Sequence, residues 1–221
     1  GRALMGLHFL LWPHNREIVS LQVSFARLYA NQAVAHELSE LFNVLEDRAD
    51  HIPEALDNQM RWTHKVPLSV HSRASLAEIM TAFGKMTFAR PHKPREGVSF
   101  DTETTSDLLF ITLEKTERHY SPSTMYRDYA ISPDLFHWES QSITSLESPT
   151  GRRYIQQRTK GTNVFLFVRD RKYEGGRTAG YTFLGAADYM SHQGSRPIAV
   201  TWRLRKAMPD SLFRTAKVAA G

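Results

Sequence analysis

Along the first third of the chain, apolar residues recur at three- and four-residue spacing. Ile18, Leu21, Phe25 and Leu28 fall on one face of a predicted helix. Asn31 can cap a second helix, whose apolar stripe is Val34, Leu38, Leu41, Phe42 and Leu45. Pro53 interrupts the stretch beyond that helix. Ser75, Leu76, Ala77 and Glu78 make a capping-box pattern that opens a third helix, and Gly84 marks its stop. The pattern predicts a helical connector over residues 1–85.

Near residue 85 the helical period ends. The stretch Thr87–Gly97 carries Pro91 and Pro94, which cannot donate to a ladder and favour an extended linker. Short strand-like runs come next. Leu108–Leu113 and Asn163–Arg169 are apolar enough to be buried on both faces. Further runs are Tyr126–Ile131, Leu135–Trp138, Ala179–Leu184, Asp188–His192 and Pro197–Leu204. In the last, Ile198, Val200, Trp202 and Leu204 alternate with Ala199, Thr201 and Arg203. Ser148–Ile155 reads as one short helix among them. Gly175, Gly176 and Gly194 sit where hairpin turns are expected. The expectation is an α+β chain in which residues 86–221 close into a curved β-barrel with a few short helices.

Composition narrows the class. The 221 residues are 41% hydrophobic with a mean hydropathy of -0.42, enough for a core. No apolar run approaches the roughly 18 residues that span a bilayer, so no membrane contact is expected. Gly6–Trp12 is too short for a leader and is followed by Pro13. The chain opens on Gly1, which suggests an excised piece. It holds no cysteine, which excludes disulfides, thiol catalysis and cysteine-bound zinc, and a cytoplasmic setting is expected. Charge is uneven. Residues 1–85 carry 8 Lys and Arg against 9 Asp and Glu, whereas residues 86–221 carry 20 against 14. The net of +6 in the second part points to a polyanionic partner, double-stranded DNA above all.

Catalytic patterns are missing from the sequence: no phosphate-binding glycine loop ends in Lys-Ser/Thr, and there is no G-x-S-x-G elbow. The ten histidines are scattered, with His119, His137 and His192 in separate predicted segments. Asp101, Glu103 and Asp107 read as a solvated strand entry rather than a metal cluster. No cofactor or metal is expected. The polar-aromatic stretch from His119 to Ser142 offers a different chemistry. An aromatic ring can stack on a base, and a carboxylate or amide can test its polar edge. Tyr126, Asp128, Trp138, Ser140 and Gln141 are the candidate base pocket. Arg152, Arg153, Arg158 and Lys160, joined by Arg196, are the candidate contacts to the DNA backbone.

Long strings carry a family resemblance: DLLFITLEKTERHYSPSTMYRDYAISPDLFHWESQS, SPTGRRYI, NVFLFVRDRK and YTFLGAADYMSHQGSRPIAVTWRL. They resemble the domain of unknown function 3427 family. LHFLLWP and VPLSVHSRASLAEIMTAFG are similar to the helical region that precedes that domain. The one departure is Ala74, where an aromatic is expected. The resemblance implies the C-terminal part of a bacterial superfamily-2 helicase, often fused to a phospholipase-D-like nuclease. Some of these fusions are type IV restriction enzymes that cut DNA carrying modified cytosine such as 5-methylcytosine. It also implies an SRA/PUA-like barrel that flips a base into a pocket. The pocket residues above come from the residue patterns, not from the family.

Together these readings predict a non-catalytic DNA-binding module that reads a modified cytosine by base flipping, with methylated duplex and the parent helicase and nuclease domains as partners. The alternative is an interaction module that docks helicase to nuclease without base readout.

Overall fold

The computed structural model describes residues 1–13, 17–47, 66–91, 97–114 and 128–218. The chain divides into two compact units, one of residues 1–69 with 76–94 and the other of residues 70–75 with 95–221. Pro53, His119, Tyr126 and residues 92–96 of the proline-bearing linker lie outside the described residues.

The first unit is helical: α1 (Arg2–Leu11), α2 (Leu21–Tyr29), α3 (Gln32–Asp47) and α4 (Leu76–Ala82). Ser20 caps α2 by accepting from the Val23 amide, and Asn31 accepts from Val34 at the start of α3. Gly84, at φ 67°, supplies the left-handed stop after α4. Ile79 and Met80 on α4 are fully enclosed, and α1 packs against this helix. α3 behaves otherwise, since none of its residues is buried and its stripe of Val34, Leu41, Phe42 and Leu45 is exposed.

The second unit is built on one sheet. Its strands are β1 (Arg73–Ala74), β2 (Val98–Asp101), β3 (Ser106–Thr112), β4 (Tyr129–Ser132), β5 (Leu135–Glu139), β6 (Asn163–Arg169), β9 (Tyr181–Gln193) and β10 (Ala199–Leu204), in the order β2-β3-β6-β9-β10-β5-β4, with β1 pairing β9. β3 and β6 are parallel and the other pairs antiparallel. A separate ribbon, β7 (Tyr173–Glu174) and β8 (Arg177–Thr178), turns at Gly175 and Gly176, whose φ angles of 56° and 76° suit the tight hairpin. Three helices accompany the sheet: α5 (Pro149–Ile155), α6 (Gln157–Lys160) and α7 (Asp210–Val218).

The expected curved barrel is not what the chain forms. Among the described residues β2 pairs only with β3, and β4 only with β5, so the sheet stays open at both edges. Two features account for this. Ala179–Leu184 and Asp188–His192, read as two strands, run together as the 13-residue β9. Gly185, at φ 85°, lets the strand pass through an irregularity against β6 without breaking. The parallel β3–β6 pair is also buried almost throughout, as strands covered on both faces are. One core cluster gathers Leu109, Ile111, Leu166 and Trp202 from the sheet with Tyr154 from α5 and Ala216 from α7.

Candidate functional site

α5, α6 and the β9–β10 hairpin carry most of the residues of interest. Ser148 caps α5 by accepting from the Gly151 amide, and Pro149 occupies the first turn, where its missing N–H is harmless. The helix lies close to the preceding loop. A Cβ on Gly151 would collide with the Ser145 carbonyl oxygen and reach within 3.0 Å of Ile198 Cδ1. Only glycine fits.

The two adjacent arginines of α5 have different surroundings. Arg153 Nε and Nη2 donate to the two carboxylate oxygens of Asp107 at 2.7 and 2.8 Å, and the guanidinium lies 3.9 Å from the Phe100 ring centre. Burial pushes the Asp107 carboxyl above its ordinary value, against the two hydrogen bonds and charge of Arg153. Those bonds hold the Arg153 guanidinium above its own. Asp107 is therefore an enclosed partner on β3, with 0% side-chain exposure, and not the solvated strand entry that the sequence suggested. Asp101 is likewise occupied, accepting from the Thr104 amide and hydroxyl. No group of three metal-ligating side chains occurs among the described residues.

Arg152, by contrast, is exposed and makes no ion pair among the described residues. The same holds for Lys160 and Arg196, while Arg158 makes one contact, with Met190 Sδ at 3.9 Å. Glu147 ties two of them together. Its carboxyl is held below the ordinary value by its own backbone amide and the Ser145 hydroxyl, with smaller attractions from Arg196 and Arg152. Three other arginines of this unit are paired. Arg171 pairs with Glu114 and Asp170, Arg205 with Asp188, and Arg73 with Glu174.

The proposed base pocket is placed differently. Tyr126 lies outside the described residues. Asp128 is buried, and one carboxylate oxygen accepts from the Glu139 amide at 3.0 Å, continuing the β4–β5 pairing. Trp138 is 4% exposed and meets Tyr154 edge-on, with ring centres 5.3 Å apart, beside Trp202. Ser140 is fully enclosed, its amide donating to the Ile198 carbonyl and its hydroxyl accepting from the Ile198 amide. Gln141 is exposed at the start of the turn that leads to α5.

One grouping escaped the sequence reading. The Tyr189 hydroxyl lies 2.6 Å from His192 Nδ1, near the end of β9 and close to Arg158 through Met190. A Tyr and a His three apart on a regular strand point to opposite faces, so nothing in the sequence pairs them. A cleft of about 470 Å³ lies elsewhere, between Arg73, Arg169, Tyr173 and Gly180.

Fold and site define an α+β domain whose open sheet presents unneutralised cations around α5, α6 and one hairpin. The chain belongs to the DUF3427 family, a domain of unknown function, which matches residues 68–216. No curated protein matches the chain. Among solved structures it is similar to Arabidopsis thaliana SUVH6, crystallised in complex with SAM, at 12% identity and a TM-score of 0.41. That likeness covers 95% of this chain but only 38% of the SUVH6 chain. No helix among the described residues is long and apolar enough to cross a membrane.

Proposed function

We propose that this chain is a non-catalytic DNA-binding module that grips duplex phosphates with Arg152, Arg158, Lys160 and Arg196. The observation that carries this reading is that these four exposed cations, on α5, α6 and the β9–β10 hairpin, carry no ion pair among the described residues, whereas Arg153 beside them is tied to Asp107. Cations left without carboxylate partners keep their full charge for a polyanion, and guanidinium groups suit phosphate geometry. Glu147 offsets one of the four charges and leaves a net positive cluster. The sharper form of the proposal is recognition of a modified cytosine, inside a cytoplasmic restriction or defence helicase–nuclease. It rests on the family resemblance in the sequence.

Fluorescence anisotropy with a labelled duplex, titrated at rising salt, tests the grip. Affinity should fall steeply, with a log–log slope of about -0.9 for each phosphate contact. Changing all four cations to Ala should flatten that slope by about 3.6, while Arg171→Ala should leave it unchanged. Absence of duplex binding at low salt would overturn the proposal in favour of a protein-docking role. Equal competition by 5-methylcytosine and plain duplexes would remove the modified-base reading and leave the grip intact.

A further inference from the structure

The register of β9 against β10 contains an irregularity beside the cationic cluster. Tyr189 faces Trp202, Ser191 faces Thr201 and His192 faces Val200, so Met190 is the extra residue of a β-bulge. Trp202 and Val200 share one face of β10, and the bulge therefore turns Tyr189 and His192 to a common side. Their ring centres are 6.0 Å apart and are linked by the hydroxyl–Nδ1 hydrogen bond. Tyr189 rests edge-on against its cross-strand neighbour Trp202, with ring centres 6.4 Å apart, which fixes it from the side.

The surroundings hold this arrangement in place. Pairing of β9 with β6 stops at Ala187, opposite Val164 near the start of β6, and the Tyr189 amide beyond it donates to Gln157 Oε1 at 3.1 Å. Gln157 is itself buried, its side-chain amide donating to the Thr162 carbonyl. α6 is thereby anchored to the bulge, and Arg158, the next residue, reaches Met190. Met190 is 40% exposed. His192 Nδ1 is engaged, whereas His192 Nε2 has no protein partner among the described residues.

We infer that this bulge is a contact site for an unpaired nucleobase, with Met190 and the Tyr189–His192 pair as its soft face and Arg158 on the adjoining phosphate. The inference rests on the DNA-binding reading and adds to it the kind of nucleotide that is favoured. A thioether and aromatic rings are polarisable surfaces on which any base can stack. The open Nε2 offers one polar contact to a base edge. A base inside a paired stack cannot reach such a face, so the site selects an unstacked one.

The test uses the full chain and two labelled duplexes that differ only by one unpaired adenine. The wild type should bind the duplex with the unpaired base about tenfold more tightly, the scale of one stacked base. Tyr189→Leu and His192→Ala should each erase most of that ratio, while affinity for the fully paired duplex stays the same. With 2-aminopurine at the unpaired position, fluorescence should be quenched on binding the wild type and less so on binding Met190→Ser. A wild-type ratio near one overturns this inference while leaving the DNA grip in place, and it does so even where a variant fails to fold. A ratio that survives both ring substitutions in folded variants also overturns it. Failure to bind either duplex removes the DNA-binding reading instead.

Discussion

Arg152 and Arg153 are neighbours in sequence and of one residue type, yet their environments assign them different work. Arg153 neutralises a carboxylate with no solvent exposure, and Arg152 faces water. Removing one member of an enclosed pair leaves the other charged and unpartnered, which costs about 3–5 kcal/mol. Arg153→Ala is therefore expected to destabilise the protein strongly in urea titrations at neutral pH, whereas Arg152→Ala should change stability by less than about 0.5 kcal/mol. The sign of the pH dependence comes from Asp107, whose folded value lies above its ordinary 3.8. A carboxyl raised in this way takes up a proton more readily folded than unfolded. Its contribution to stability is present below the unfolded value and is lost as pH rises through the folded one. Without Arg153 the loss is larger, so the difference between wild type and Arg153→Ala should shrink as pH is lowered into the acid range. An undiminished difference at low pH would place its origin in lost packing on Phe100.

At the scale of elements, α5 shows a local preference overridden by its neighbours. Glycine inside a helix is disfavoured by about 1 kcal/mol relative to alanine. At Gly151 the close Ser145 carbonyl reverses that preference, because an added Cβ has nowhere to go. Gly151→Ala is thus expected to lower the melting temperature despite its better helix propensity, by the equivalent of about 1–3 kcal/mol. Displacement of α5 should also weaken duplex binding, since Arg152 is the next residue. β9 makes the complementary point. Its two apolar runs were legible as strands, but their continuity depends on Gly185 and their pairing on the bulge at Met190. Helix α3, with a clear apolar stripe and no buried residue, shows that periodicity predicts the element without saying what covers it.

For the whole molecule, chain order and spatial units differ. The helical pattern ended near residue 85, but residues 70–75 join the sheet unit. Arg73 and Ala74 pair with β9, and His71 and Ser72 exchange backbone hydrogen bonds with Phe183. A fragment of residues 86–221 loses all of these contacts, whereas one of residues 66–221 keeps them. At about 1 kcal/mol for each hydrogen bond, two or more lost bonds correspond to roughly 5 °C in a domain of this size. The longer fragment should melt that much higher by circular dichroism, and equal melting temperatures would show that β1 adds nothing.

Local chemistry was legible in the sequence: the cap at Asn31, the helix stop at Gly84, the short helix after Ser148, the hairpin at Gly175 and Gly176, the doubly apolar β3 and β6, and the basic second part. Each of these depends on residues close together in the chain, or on their sum. Tertiary packing decided that the sheet stays open, that Trp138 and Ser140 turn inward, that Asp107 lies opposite Arg153, and that Tyr189 meets His192. These outcomes depend on register and on long-range partners such as the pair 46 residues apart at Asp107 and Arg153. A one-residue bulge reverses which face a side chain occupies, and no pattern of apolar and polar positions records where that bulge falls.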